Sequence, residues 1–191
     1  MGVTFTRSAL APGQDHYGDA LTGFEAYYRG WMSGAITMST GVLRLSYATC
    51  SVATPVTTFN AVQGSTAAGA TPTLIRFGLW TADAAGALLA LVASTANDTA
   101  LMVGAANTLV TKAASATYTP IVGQRYAFGV LVVTAAAAPT LQGGGGGSSS
   151  AANALSPRLH GTVSGQTDLP ASLAVGSITA ATSAPWIGLT P

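Results

Sequence analysis

Apolar side chains that recur at every second position are the feature that most restricts the fold of this chain. The longest run is QRYAFGVLVVT, residues 124–134, in which two sets alternate: Tyr126, Phe128, Val130 and Val132 against Arg125, Ala127, Gly129 and Leu131. A period of two is the repeat of a β-strand. The second half of this run is apolar on both faces, which is expected of a central strand in a sandwich.

Two earlier segments have the same period. In GVLRLSYATC, residues 41–50, Leu43, Leu45 and Tyr47 share one face, and TPTLIRFGLWTAD, residues 71–83, places Ile75, Phe77 and Leu79 together. A turn at DAAG, residues 83–86, and the returning run ALLALVAST predict a hairpin. A helix over residues 84–93 is the alternative, but the segment is short and has no polar face. Short strands separated by turns favour an all-β, antiparallel β-sandwich.

A tract of five glycines and three serines lies within residues 142–153, and only 38 residues, 154–191, follow this segment. A chain of fewer than about 40 residues rarely folds alone without disulfides or metal. The apolar residues of this tail must therefore be buried by the rest of the protein: Leu159, Val163, Leu173, Val175, Ile178, Trp186, Ile187 and Leu189. We predict one sandwich domain, residues 41–191, with a Gly/Ser-rich loop at 142–153.

The first 40 residues differ in composition and predict an extended or partly helical N-terminal docking arm. Thr22 and Glu25 have the spacing of a helix capping box. The segment also concentrates aromatic residues, which dominate the energetics of protein interfaces. The candidate anchors for docking or oligomerisation are Tyr17, Phe24, Tyr27, Tyr28 and Trp31.

Charge is scarce, since only 7% of the residues are charged and the net charge is +1. This excludes the basic footprint of a nucleic-acid-binding protein. A surface of small polar and apolar residues resists association poorly, so an oligomer or an assembly component is expected. Cys50 is the one cysteine, which rules out an intrachain disulfide. No run reaches the ~18 apolar residues of a membrane helix, and the N-terminus lacks a secretion signal.

The sequence offers few groups for catalysis. The nucleophile motif G-x-S-x-G, the zinc motif H-E-x-x-H and the phosphate-binding P-loop are all missing, so no cofactor and no metal are expected. His16, flanked by Asp15 and Asp19, is the best candidate for a metal ligand or a base, and an exposed turn or interface histidine is its alternative. We expect a protein that is not an enzyme.

Sugar binding is a separate hypothesis, because aromatic rings can form a stacking platform for a carbohydrate. Trp80 and Trp186 are the candidate glycan contacts. The competing interpretation is that both rings pack against the edge of the sandwich, as large aromatic side chains usually do.

A series of short motifs in the second half of the chain resembles a domain of tailed phages of actinobacteria, found in minor tail proteins and other virion appendages. The motifs are RFGL (76–79), LVASTANDT (91–99), TKA (111–113), GQRYAFGVLVV (123–133) and GQTDLPAS (165–172). The resemblance covers residues 70–191. It implies a jelly-roll-like β-sandwich, a structural or attachment role in a virion, and homotrimers.

We therefore predict a non-enzymatic structural protein of a tailed bacteriophage virion, of the minor tail or appendage type, made in the bacterial cytoplasm. Its partners would be further copies of itself and phage capsid or tail proteins. The chain is smaller than the tail proteins that it resembles, which leaves a capsid decoration protein as one alternative. A receptor-recognition module that binds host surface glycans is the other.

Overall fold

The computed structural model describes residues 24–26, 32–51, 53–69, 72–144, 151 and 155–191, and the regular secondary structure of this part of the chain is almost entirely antiparallel strands. The strands are β1 (Phe24–Glu25), β2 (Gly34–Thr37), β3 (Leu43–Thr49), β4 (Val56–Val62), β5 (Leu74–Ala82), β6 (Leu88–Ser94), β7 (Leu109–Tyr118), β8 (Arg125–Val133), β9 (Thr140–Gly144), β10 (His160–Val163), β11 (Thr179–Ala180), β12 (Ala184–Pro185) and β13 (Gly188–Thr190). A short 3-10 turn spans Val175–Ser177. The predicted all-β, antiparallel, sandwich-like fold is confirmed.

The strands form three sheets. The six-stranded sheet has the order β11-β10-β3-β8-β5-β6, the four-stranded sheet β1-β13-β4-β7 and the three-stranded sheet β12-β9-β2. The predicted hairpin is present as β5 and β6. Its turn is closed by the Asp83 carboxylate, which accepts hydrogen bonds from the amides of Gly86 and Ala87 at 2.7 and 2.9 Å. Strand β8 lies between β3 and β5, so the prediction of a central strand is also confirmed.

The main core lies between the six-stranded and four-stranded sheets. Phe59 on β4 stacks against Phe77 on β5 with 6.0 Å between ring centroids. Phe24 on β1 meets Phe128 on β8 edge to face at 4.7 Å. One alternating set of each inner strand fills this core, as the period of two predicts.

A second core covers the opposite, outer face of the six-stranded sheet. It contains Leu43, Leu45, Tyr47, Trp80, Leu131, Val163 and Ile178. Residues 164–178, which we call the strap, cross this face and cover it. Both faces of the sheet are therefore buried, which explains why β8 is apolar on both sides.

The strap is attached at successive points across the sheet. The Gln166 amide donates to the Gly41 carbonyl at 2.9 Å, and the Trp80 indole donates to the Pro170 carbonyl at 2.8 Å. At the far edge Leu173 and Leu88 exchange two backbone hydrogen bonds of 2.9 Å each. These last bonds occupy part of the free edge of β6, an edge that would otherwise be open to another strand.

Several residues beyond the Gly/Ser tract contribute to the same two cores. Strand β10 pairs with β3, β12 with β9 and β13 with β4. Val163, Ile178, Trp186, Ile187 and Leu189 are buried. The prediction was wrong for Leu159 and Val175, which are 49% and 37% exposed, because both lie in connections rather than on a strand face.

Strands occur in the segments predicted as the N-terminal arm and the Gly/Ser-rich loop. Strands β1 and β2 fall within the predicted arm, yet they pair with β13 and β9, so the described part of residues 1–40 belongs to the sandwich. Glu25 lies in β1, so the prediction that Glu25 lies in the first turn of a helix is wrong, because backbone pairing with β13 overrides the local signal. Thr22 lies outside the described residues. Strand β9 extends to Gly144, so the first three residues of the predicted loop are strand.

Candidate docking surface

The two tryptophans predicted as glycan contacts are packing residues. Trp80 is fully buried on the outer face of the six-stranded sheet, under the strap. Trp186 is 6% exposed, and its indole donates a hydrogen bond to the Glu25 carboxylate at 3.2 Å. Neither ring presents a face to solvent, so the prediction of a stacking platform from this pair is corrected.

Of the five predicted docking anchors, Phe24 is the one within the described residues. It is 4% exposed, and its ring contacts those of Tyr126 and Phe128 at centroid distances of 5.5 and 4.7 Å. Phe24 is therefore a core residue of its own chain rather than an exposed anchor. Tyr17, Tyr27, Tyr28 and Trp31 lie outside the described residues, as does His16.

Several charged side chains hold connecting segments in place. The buried Arg158 guanidinium donates to the carbonyls of Ala85 and Ile178 at 3.1 and 2.7 Å. Arg76 pairs with Asp168 of the strap at 2.6 Å, and Lys112 pairs with Asp98 at 2.8 Å. Within the described ranges, three or more His, Cys, Asp or Glu side chains do not come together as a metal site.

Four exposed aliphatic side chains lie in the connections at one end of the sandwich. Strands β3 and β5 end there, and β8 and β10 begin there. The connections at this end carry Ile121, Val122, Leu155 and Leu159, which are 65, 55, 68 and 49% exposed. We call these four residues the apolar end.

The tip that carries Ile121 and Val122 is firmly held. Its turn is closed by the Gln124 amide, which donates to the Ile121 carbonyl at 3.0 Å, with Gly123 in the left-handed region at φ 83°. The Ile121 amide donates to the hydroxyl of buried Tyr126 at 2.9 Å. The Gly123 amide donates to the Cys50 carbonyl at 2.9 Å, so the tip is also tied to the end of β3.

The second segment of the apolar end, residues 155–159, is anchored by Arg158. The Arg158 amide donates to the Ala84 carbonyl at 3.1 Å, and its own carbonyl accepts a hydrogen bond from the Arg125 guanidinium. The Leu159 carbonyl accepts from the Tyr47 amide at 3.0 Å. Ile121, Val122 and Leu159 therefore stand on or beside hydrogen-bonded backbone.

Burial raises the pKa of two tyrosines near this end. Desolvation raises the pKa of the Tyr118 hydroxyl, which is 3.0 Å from the Tyr126 hydroxyl, and it also raises the pKa of Tyr47. The Tyr47 hydroxyl donates to the Gly86 carbonyl at 2.8 Å. Both phenols stay protonated at neutral pH, and the Tyr47 hydroxyl holds the backbone of the turn between β5 and β6.

Sequence patterns did not identify the apolar end. TPIVGQ is recognisable as a connection from Pro120 and Gly123, and two large aliphatic residues between such turn residues are an available signal. Leu159 was expected in the core. The two connections reach the same end of the sandwich because of the order of the strands, and that order cannot be read directly from the sequence.

No described helix has the length and apolar composition needed to span a membrane. No protein-family model matches this chain, and a search of curated proteins returns no match.

Proposed function

We propose that this protein is a non-enzymatic structural component of a tailed phage virion, of the minor tail or appendage type, that joins its assembly through the apolar end. A jelly-roll-like strand arrangement and assembly as a homotrimer form part of the proposal. The proposal implies that the protein is located in the virion. Its support is the resemblance of the motifs between residues 76 and 172 to those of phage virion proteins.

The observation that carries the proposal is the rigid display of Ile121 and Val122. Exposed aliphatic residues on a fixed tip lose little conformational entropy on binding, so more of the hydrophobic free energy remains for association. Each such side chain contributes roughly 1.5–3 kcal/mol when it is fully buried. Exposed aliphatic residues on hydrogen-bonded turns, in a molecule with so few charges, suit contact with other protein subunits.

Particle incorporation tests the proposal directly. Ile121→Asp places a charge where the contact needs an apolar group, and we expect incorporation into purified virions to fall at least about tenfold, the effect of ~1.4 kcal/mol. Leu109→Asp is the matched control, because Leu109 is 64% exposed and lies at the opposite end of β7. Equal incorporation of both variants and the unmodified protein would refute docking through the apolar end.

Copy number separates the tail or appendage role from a capsid decoration role. A tail or appendage protein is expected at far fewer copies per virion than the major capsid protein. An abundance near that of the major capsid protein would contradict the proposed location and favour the decoration role.

A further inference from the structure

We infer that Arg44, with Thr162 and Thr179 beside it, binds an oxyanion, either a phosphate or the carboxylate group of a ligand. The inference does not rest on a virion role. Arg44 is the second residue of β3, and the apolar end lies where β3 ends, so the two sites are separate.

Arg44 lies in a row of cross-strand partners that runs from the main core to solvent. In order across the six-stranded sheet, the row contains Phe77, Val130, Arg44, Thr162 and Thr179. Residues directly opposite each other on antiparallel strands share one face, with Cβ atoms about 4.5–5.5 Å apart. Phe77 and Val130 are fully buried, Arg44 and Thr162 are partly buried, and Thr179 is exposed. Arg44 therefore lies where the core meets the surface, and its neighbours on the solvent side carry hydroxyl groups.

The strap does not cover this row. Leu43 and Leu45, on either side of Arg44 in the sequence, belong to the outer core. Because successive side chains of a strand point to opposite faces, Arg44 lies on the inner face of the six-stranded sheet. Thr162 lies on the same face, since its neighbour Val163 also belongs to the outer core.

Within the described residues, no carboxylate pairs with the Arg44 guanidinium. Its Nε atom is buried and has no hydrogen-bond partner. The four carboxylates of this part of the chain are bound elsewhere: Glu25 by Trp186, Asp83 by its own turn, Asp98 by Lys112 and Asp168 by Arg76. Burial alone lowers the pKa of Arg44. The cation is thus partly removed from water without an opposite charge to replace it.

The other described Lys and Arg side chains are all satisfied. Arg76 and Lys112 each pair with a carboxylate. The guanidinium groups of Arg125 and Arg158 donate hydrogen bonds to backbone carbonyls. Arg44 differs from these four in having a buried donor that the protein leaves unused. A buried unsatisfied donor of this kind requires an explanation, and a bound ion is one of the usual ones.

The chemistry of the row suits an oxyanion. A planar guanidinium group donates two parallel hydrogen bonds to a carboxylate or a phosphate, and such charge-assisted bonds are about twice as strong as neutral ones. A threonine hydroxyl can donate a further hydrogen bond to the same anion. Binding would replace the hydration that Arg44 loses on folding.

Titration of the full chain with sodium phosphate and, separately, with sodium acetate tests the inference, with sodium chloride at the same ionic strength as the reference. The readout is the Nε–H resonance of Arg44 in heteronuclear NMR spectra, assigned by its loss in Arg44→Gln. We expect at least one oxyanion to shift this resonance in a saturable way that chloride does not reproduce. Arg44→Gln should weaken the binding of that anion, measured by calorimetry, roughly tenfold or more. A shift with phosphate alone assigns a phosphate ligand, and tighter binding of acetate assigns a carboxylate.

Two variants serve as controls. Arg76→Gln should bind the anion as the native protein does, because Arg76 already pairs with Asp168 at 2.6 Å. Thr162→Val removes one hydroxyl with little change in shape and should weaken binding several-fold while the Arg44 resonance remains observable. If Arg44→Gln does not fold, the native titration and Thr162→Val decide the question. The inference is overturned if neither oxyanion shifts the Arg44 resonance more than chloride does, or if a folded Arg44→Gln binds as tightly as the native protein.

Discussion

At the scale of single residues, two glycines create the site of the largest buried side chain. Gly78 on β5 and Gly129 on β8 are direct partners across the six-stranded sheet. A Cβ atom at either position would lie 2.5–2.6 Å from the Trp80 ring. The indole therefore occupies a slot between two strands that lack side chains at that point, and the strap closes the slot from above.

Gly129→Ala is expected to destabilise the protein. The added methyl group would meet the Trp80 ring at 2.6 Å and Leu43 and Leu45 at 3.0–3.1 Å, so the indole must shift. Overpacking of this kind should lower the free energy of unfolding by roughly 1–3 kcal/mol, and denaturant titration measures this difference. Gly176→Ala is the control, because nothing lies within 4 Å of its added Cβ. Equal stability of the two variants would contradict the packing described for the slot.

His160 makes stability depend on pH. Burial lowers the pKa of its imidazole from the ordinary 6.5, so the unfolded chain takes up a proton at a higher pH than the folded protein does. The free energy of unfolding should therefore decrease as the pH falls below about 6.5, with a slope of at most ~1.4 kcal/mol per pH unit.

Denaturant titrations between pH 7.5 and 5 measure this effect, and His160→Gln should make the profile flatter. The hydrogen bond from Lys112 lowers the pKa of the Asp98 carboxyl, but that group loses its contribution only below its ordinary value of 3.8. The titrations stop above this value, so Asp98 contributes little to the change in the free energy of unfolding over the measured range. An unchanged slope in His160→Gln would show that another group titrates there.

At the scale of elements, the strap covers the outer face of the six-stranded sheet, where a second sheet or a helix would normally pack. Leu169 and Leu173 pack on the outer core, and Ile178 is buried within it. Backbone hydrogen bonds from Leu88 and Leu91 hold the strap to the edge of β6. A segment whose one regular element is a short 3-10 turn thereby covers the outer face of the sheet.

Two substitutions compare the contacts that hold the strap. Trp80→Phe removes the hydrogen bond to the Pro170 carbonyl and leaves a cavity, which should cost about 2 kcal/mol of unfolding free energy. Asp168→Asn removes the ion pair with Arg76. Because the Asp168 side chain is 57% exposed, this loss should lower the free energy of unfolding by less than about 1 kcal/mol. Denaturant unfolding of both variants measures this ranking, and the reverse order would refute it.

Sequence patterns predicted the strands well and the strap poorly. The period of two in β3, β5 and β8 reflects local backbone geometry, so it can be recognised without a structure. The strap has no period, because it is held by single contacts to Gly41, Trp80 and Leu88. The burial of Trp80 likewise depends on the pairing of Gly78 on β5 with Gly129 on β8. These residues are far apart in the sequence, so no local pattern predicts their pairing.

At the scale of the whole molecule, the segment after the Gly/Ser tract completes every sheet. Strand β10 extends the six-stranded sheet, β12 the three-stranded sheet and β13 the four-stranded sheet. A body without these strands would expose both cores. The single-domain organisation therefore rests on contacts between residues far apart in sequence.

Fragment complementation tests this organisation. We expect residues 1–154 alone to lack a cooperative thermal transition, because the outer core loses Val163 and Ile178 and the main core loses Ile187 and Leu189. Adding residues 155–191 as a separate peptide should restore the transition in calorimetry. A peptide in which Ile187 and Leu189 are both replaced by Asp is the control. A cooperative transition of residues 1–154 without the peptide would contradict the shared core.

The position of β13 between β1 and β4 has a consequence for synthesis on the ribosome. Strand β1 is translated early, but its sheet partner, Gly188–Thr190, emerges more than 160 residues later. Until then β4 lacks its neighbour on that side, and the nascent chain cannot bury Phe24 in its final place. This half of the molecule therefore cannot reach its native state until Gly188–Thr190 has been synthesised, and slowing translation before that point should not help it to fold.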